Sequence, residues 1–187
     1  MKKHSVLVIA LIAILLIGSC GTLFAINIYS SSSGYNQKEG TEGKFLERYD
    51  EFQQITWIQH QFYDTESSEP LRLYIGEIKG KKWLRGVFRY HGGDWIFYDE
   101  VILIDSKGNR LSWNVESYDK QNDVSHWGGY VTETYDFLVS DTDVSTLYNI
   151  LEDETVKLRM VGDNYRDYKL EPERITALKE ILEYYFK

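Results

Sequence analysis

Three histidines follow the first 29 residues, His60, His91 and His126, and together with 29 acidic side chains they are the raw material for acid–base or metal chemistry. Zinc usually draws two ligands from a short HxxxH or HExxH spacing, and no such spacing occurs, so neither a metal site nor a cofactor is expected. His91-Gly92-Gly93-Asp94 has the composition of an esterase oxyanion loop. That chemistry needs a Gly-x-Ser-x-Gly nucleophile elbow, which the chain lacks, and paired glycines equally suit a turn. His60 falls in an alternating stretch and reads as a half-exposed strand residue. Asp105 to Glu116 has the length of an EF-hand loop, but Lys107 takes a ligand position and Gly108 is misplaced by two, which leaves a hairpin turn. Asp141-x-Asp143 suits a helix cap as well as it suits calcium. The pairs Asp99-Glu100 and Asp119/Asp123 are available for glycosidase work, but that needs carboxylates roughly 5 to 10 Å apart, which sequence spacing does not set. The sole cysteine is Cys20, so the remainder has no thiol nucleophile. No phosphate-cradling glycine loop is present. No catalytic residue is assigned, and a non-enzymatic protein is expected.

The aromatic excess is the remaining signal. Trp57, Trp83, Trp95, Trp113 and Trp127 all fall in the strand-rich middle or its loops. Aromatics bury the largest area per residue and mostly belong to cores. Trp113 and Trp127 stand beside polar loops, and with His126 they are the candidate binding residues. An exposed tryptophan can stack on a sugar face or anchor a protein interface.

The elements that would position these residues read as follows. Phe45, Leu46, Tyr49 and Phe52 have the spacing of one helical face, which predicts a helix over Gly43 to Gln54. Ile55 to Asp64, Leu71 to Lys79 and Trp83 to Tyr90 read as strands. Trp95 to Ile104 reads as the most apolar and central strand, followed by strands at Arg110 to Val115 and Gly129 to Val139, with a polar stretch between these at Tyr118 to Ser125. Ser140-Asp141-Thr142-Asp143 caps a helix with Val144, Leu147, Tyr148 and Leu151 on its apolar face. Thr155 to Val161 and Tyr165 to Leu170 form a hairpin about Gly162-Asp163-Asn164. Pro172 opens a last helix whose apolar face is Ile175, Leu178, Ile181, Leu182 and Tyr185. The class expected is α+β, a mostly antiparallel sheet packed by C-terminal helices.

At the N-terminus, Lys2 and Lys3 precede an uncharged run from Val6 to Ile17, the basic and apolar parts of an export signal. Cys20 follows Leu16-Ile17-Gly18-Ser19, which resembles a bacterial lipobox whose cysteine is acylated. Apolar residues resume from Thr22 to Tyr29, and the 25 residues from Ser5 to Tyr29 are enough to span about 30 Å of hydrocarbon. Lipid anchor and uncleaved membrane helix both stay open, and both keep the N-terminus inside. Expected segments are therefore an anchor over 1–29, a flexible polar linker over 30–42 and one globular domain over 43–187. The chain carries a net charge of -8; without Lys2 and Lys3, 19 basic side chains face 29 acidic ones, giving -10. That field repels phosphate backbones, so nucleic acid is not an expected partner.

Trp95-Ile96-Phe97-Tyr98-Asp99, the stretch Val156 to Gly162, and Tyr165-Arg166-Asp167-Tyr168 before the final helix resemble a small α+β domain of poorly characterised exported and phage-associated bacterial (lipo)proteins. The resemblance covers about half of the domain. It implies export and fold, and it carries no active site. The expectation is an extracytoplasmic protein anchored in the cell membrane whose domain binds an envelope protein. The alternative is a module that binds or hydrolyses cell-wall glycan.

Overall fold

A computed structural model describes residues 34–63, 69–124 and 128–187. In chain order the strands are β1 (Asn36–Gln37), β2 (Phe45–Asp50), β3 (Ile55–His60), β4 (Leu71–Ile78), β5 (Lys81–Gly92), β6 (Glu100–Ile104), β7 (Arg110–Asn114), β8 (Lys120–Val124) and β9 (Val131–Leu138). Helix α1 (Asp141–Leu151), strands β10 (Lys157–Val161) and β11 (Tyr165–Lys169) and helix α2 (Pro172–Tyr185) follow. The class is α+β. Among the described residues there are two antiparallel sheets, one of seven strands in the order β1-β2-β3-β4-β5-β9-β8 and one of four in the order β11-β10-β6-β7.

Period-two alternation decides which side chains enter the core. Along β4, Leu71, Leu73 and Ile75 are buried, and their register partners Phe88, Gly86 and Leu84 on β5 face the same way. This inner face of the larger sheet meets Val101 and Leu103 of β6, Leu158 and Met160 of β10, and the apolar stripes of both helices in one continuous core. Gly86 has a structural reason to be glycine, because a methyl group there would lie 2.5 Å from the Phe137 ring. Ser140 caps α1 as expected, its Oγ accepting from the Asp143 backbone N–H at 3.2 Å. No helix among the described residues is long and apolar enough to cross a membrane.

Five local expectations are corrected. The predicted helix over Gly43 to Gln54 is strand β2 followed by a turn. Its apolar spacing is accidental: Phe45 is buried, whereas Phe52 stands in solvent at the turn. Backbone pairing to β1 and β3 supplies the hydrogen bonds a helix would have made, and the Asp50 carboxylate closes the turn by accepting from the Phe52 and Gln53 N–H groups. Strand pairing starts inside the stretch expected as linker, at Asn36–Gln37, with Tyr35 buried beside it. The polar stretch near Tyr118 to Ser125 contains β8, an edge strand whose mostly exposed side chains hide it from any hydrophobic pattern.

The strand expected over Trp95 to Ile104 is regular only from Glu100, in the interior of the smaller sheet. The reason is Glu133. Its Oε1 accepts from the backbone N–H groups of Ile96 and Phe97 at 2.9 and 2.8 Å, and Phe97 takes a φ of 50°. Its Oε2 meets Lys120 Nζ at 2.9 Å, and that ammonium also donates to the Tyr98 carbonyl at 2.7 Å and sits over the Tyr98 ring. The side chains are 0% (Glu133) and 2% (Lys120) exposed, so this ion pair is fully inside the fold.

His60 is buried rather than half-exposed, because it lies on the inner side of β3 opposite Phe45, under α2. Its Nδ1 accepts from the Phe62 N–H at 3.1 Å and its Nε2 meets Glu180 at 2.7 Å. Lys44 donates to the other Glu180 oxygen at 2.6 Å. Burial alone would raise the Glu180 pKa, but the hydrogen bonds from Lys44 and His60 outweigh it and hold the carboxyl below its ordinary value. Since the folded pKa is the lower one, this contribution to stability is complete above the ordinary glutamate range and is lost as pH falls through the folded value. Thermal melts between pH 7 and pH 3 are expected to show a smaller acid-induced loss in Glu180→Gln than in the native chain. An identical acid slope would remove Glu180 from the account.

Candidate functional site

On the face of the larger sheet turned away from the core, the same alternation gathers a different set of side chains. Arg48 and Asp50 come from β2, Trp57 and Gln59 from β3, Arg72 and Tyr74 from β4, and Asp136 from β9. With Tyr35 and Gln53 they line a groove of about 560 Å³. That is within the usual size range of small-molecule sites.

An aromatic row runs across this face, and its members Trp57 and Tyr74 line the groove. Trp83 and Gly76 are register partners across β4 and β5, and a methyl group on Gly76 would lie 2.3 Å from the Trp83 ring. Only glycine lets that indole lie over the sheet. Trp57 meets Trp83 edge-on at 5.9 Å between centroids and Tyr74 at 5.6 Å. The Arg48 guanidinium lies 5.2 Å from the centre of the Tyr35 ring.

Positive charge forms the other part. Arg48, Arg72, Arg85 and Arg89 share this face, in a chain whose net charge is -8. Arg85 is committed to scaffold, with its Nε donating to Asp136 at 2.9 Å and to the Tyr74 hydroxyl at 2.8 Å. The Tyr74 hydroxyl donates to Asp136 at 2.6 Å. Burial first, and then that hydrogen bond, push the Tyr74 pKa up, so the phenol stays a donor. Burial and then the Arg72 charge lower the Arg89 pKa, which records two like charges facing one another. The Arg72 Nε is buried with no hydrogen-bond partner among the described residues. In the groove this geometry supplies stacking faces, amides from Gln53 and Gln59, and guanidinium groups suited to a carboxylate or phosphate. Asp50 and Asp136 are both already hydrogen-bonded within the scaffold.

The residues singled out from the sequence lie elsewhere. Trp113 is half-buried on β7 and packs against Phe88 at 5.0 Å and Phe137 at 5.7 Å, on the margin of the core. His126, Trp127 and Cys20 lie outside the described residues. Asp105 closes its hairpin turn by accepting from the Lys107 and Asn109 N–H groups, and no cluster of three or more His, Cys, Asp or Glu able to hold a metal occurs among the described residues. The signal that finds the groove is the polar half of the alternation: Trp57 and Gln59, then Arg72 and Tyr74, against the buried Ile58, Leu73 and Ile75. A second, smaller concavity of about 480 Å³ lies on the smaller sheet among Ile102, Ile104, Arg110, Lys157 and Lys169, beside the two-point Arg159–Asp167 pair. Set against protein-family models, curated proteins and solved structures, the chain finds no match in any of the three.

Proposed function

We propose that this chain is a membrane-tethered, extracytoplasmic binding module without catalytic activity, and that its groove takes an acidic saccharide of the cell envelope. In this reading residues 1–29 are the anchor, through a lipid on Cys20 or as a membrane helix, and the resemblance to exported bacterial (lipo)proteins belongs to the same proposal. The observation that carries it is the juxtaposition of Trp57 and Tyr74 with Arg48 and Arg72 in one groove, where Trp83 packs edge-on against Trp57. Sugar rings stack on aromatic faces, and guanidinium groups add a charge-assisted hold on an acidic substituent.

Calorimetric titration of the full chain in detergent against matched acidic and neutral oligosaccharides tests it. Trp57→Ala is expected to weaken binding of both about tenfold, near 1.4 kcal/mol. Arg72→Ala is expected to weaken only the acidic ligand, and Arg159→Ala on the other sheet neither. Equal affinity in native and Arg72→Ala chains would sink the acidic-saccharide assignment.

A protein-binding module is the second reading. It is favoured by β8, which pairs only with β9 among the described strands and has the exposed Tyr118, Val124 and Tyr130 around it. An edge of this kind can accept a partner strand. Crosslinking at the intact cell surface separates the readings: a protein captured through β8, with no saccharide affinity, supports the second.

A further inference from the structure

The register of the larger sheet places its chain entry and the exposed Phe52, Tyr49 and Leu138 at one end. Because Asn36 pairs with Glu47 and Gln37 with Leu46 in antiparallel sense, the chain enters β1 from the side of the turn after β2. That turn carries Phe52, 92% exposed, next to Tyr49 at 62%. The turn between β4 and β5, with Lys79 and Lys81 in solvent, is at the same end, since Thr56 pairs with Glu77 and Ile78 with Lys81. So is Leu138, 61% exposed at the end of β9 and paired with Arg85. Glu51 is the opposing exposed acid in the Phe52 turn.

We propose that the domain rests on the bilayer through this end, with Phe52 and Tyr49 in the lipid interface. The inference rests on the anchor in the reading above. Only Ser30 to Gly34 separate the apolar run that ends at Tyr29 from the buried Tyr35. Five residues reach at most about 18 Å when fully extended. The end at which the chain enters is therefore the end held at the membrane. Aromatic rings belong at the boundary of headgroups and acyl chains, and Lys79 and Lys81 suit its anionic headgroups. The rest of an acidic surface then faces away from the membrane. The groove comes with this end, because Tyr35, Asp50 and Gln53 line it, so its ligand would be taken close to the bilayer.

Full chain from a host that processes lipoproteins, in vesicles of phosphatidylcholine and phosphatidylglycerol and carrying an environment-sensitive fluorophore on Phe52→Cys, provides the test; Cys20 is kept, since an acylated or hydrocarbon-buried thiol escapes a water-soluble label. Val124→Cys is the reference, since Val124 stands at the far end, beyond the 12 residues of β5, about 36 Å away. Both side chains are well exposed, so neither replacement threatens folding. A spin-labelled lipid should quench the probe at position 52 at least threefold more than the probe at 124. Equal quenching at the two sites overturns the proposal. So does a probe at 52 that is shielded from water but out of reach of the lipid quencher, which would mean a protein covers that end. A chain that fails to float with the vesicles defeats the anchor as well; one that floats with an unquenched position 52 defeats the seating alone.

Discussion

Replacing Glu133 with alanine is expected to lower the unfolding free energy by about 3–5 kcal/mol, the range found when one partner of a buried ion pair is removed. The side chain holds three donors: the N–H groups of Ile96 and Phe97 and the ammonium of Lys120. Its loss strands the two N–H groups and leaves the Lys120 charge unpaired, held only by the Tyr98 carbonyl and ring, at a site where both side chains are 2% exposed or less. The two N–H groups belong to the crossing from the larger sheet to the smaller one, which a second contact also fixes. Asp163 N–H donates to the Ile96 carbonyl at 2.9 Å, and Gly162 approaches so closely that a methyl group would lie 2.3 Å from that oxygen. Glu133→Gln keeps an acceptor for the backbone donors but leaves the Lys120 charge unmatched. Adding Lys120→Met to it should recover part of the loss, because an uncompensated buried charge is worse than none. Urea denaturation reads the series as a falling midpoint at constant slope. A midpoint change in Glu133→Ala equivalent to less than about 1 kcal/mol would mean that water enters the junction and satisfies the stranded donors.

The sequence showed its C-terminal half better than its N-terminal half, for a physical reason. Helix α1 announces itself through Ser140 and the spacing of Val144, Leu147 and Leu151, and α2 through Pro172 and an apolar face that recurs every three or four residues. The hairpin of β10 and β11 turns on Gly162-Asp163-Asn164. Each is a local signal. Strand β2 is not, because its identity comes from neighbours on both sides, and its apolar residues happen to be spaced for a helix. Strand β8 carries Lys, Gln, Asn and Asp and is a strand only because β9 lies beside it. The groove was harder still. Trp57, Arg72 and Asp136 are separated by long stretches of sequence and become neighbours only through strand order. Tryptophans next to polar loops drew attention to Trp113, yet Trp57 and Trp83, within strands, are the ones in the aromatic row. Alternation told which residues would share a face. It did not tell which strands would lie side by side.

Leu178→Ala and Leu182→Ala are each expected to destabilise the fold by about 2–5 kcal/mol, which is the transfer free energy of the lost side chain plus the cavity left behind. Both leucines are 0% exposed, one helical turn apart on α2. Helix α2 packs on β3, β4, β5 and α1, and both leucines belong to the core it forms with them. Neighbours sharing one cavity do not act independently, and the double replacement should depart from the sum of the singles by more than about 0.5 kcal/mol. Thr176→Ala, on the exposed side of the same helix, is the reference and should stay within about 0.5 kcal/mol of the native chain. The effect reaches the groove through the strands themselves. Ile58, Leu73 and Ile75 lie in the core with α2, while Trp57, Arg72 and Tyr74 alternate with them on the opposite face. A helix that no longer packs therefore releases the strands that hold the aromatic row in place. Near-ultraviolet circular dichroism from Trp57 and Trp83 should weaken in the same denaturant range as the backbone signal. If the leucine variants unfold with native midpoints, the face carrying Leu178 and Leu182 lies in solvent, and α2 does not support the sheet beneath the groove.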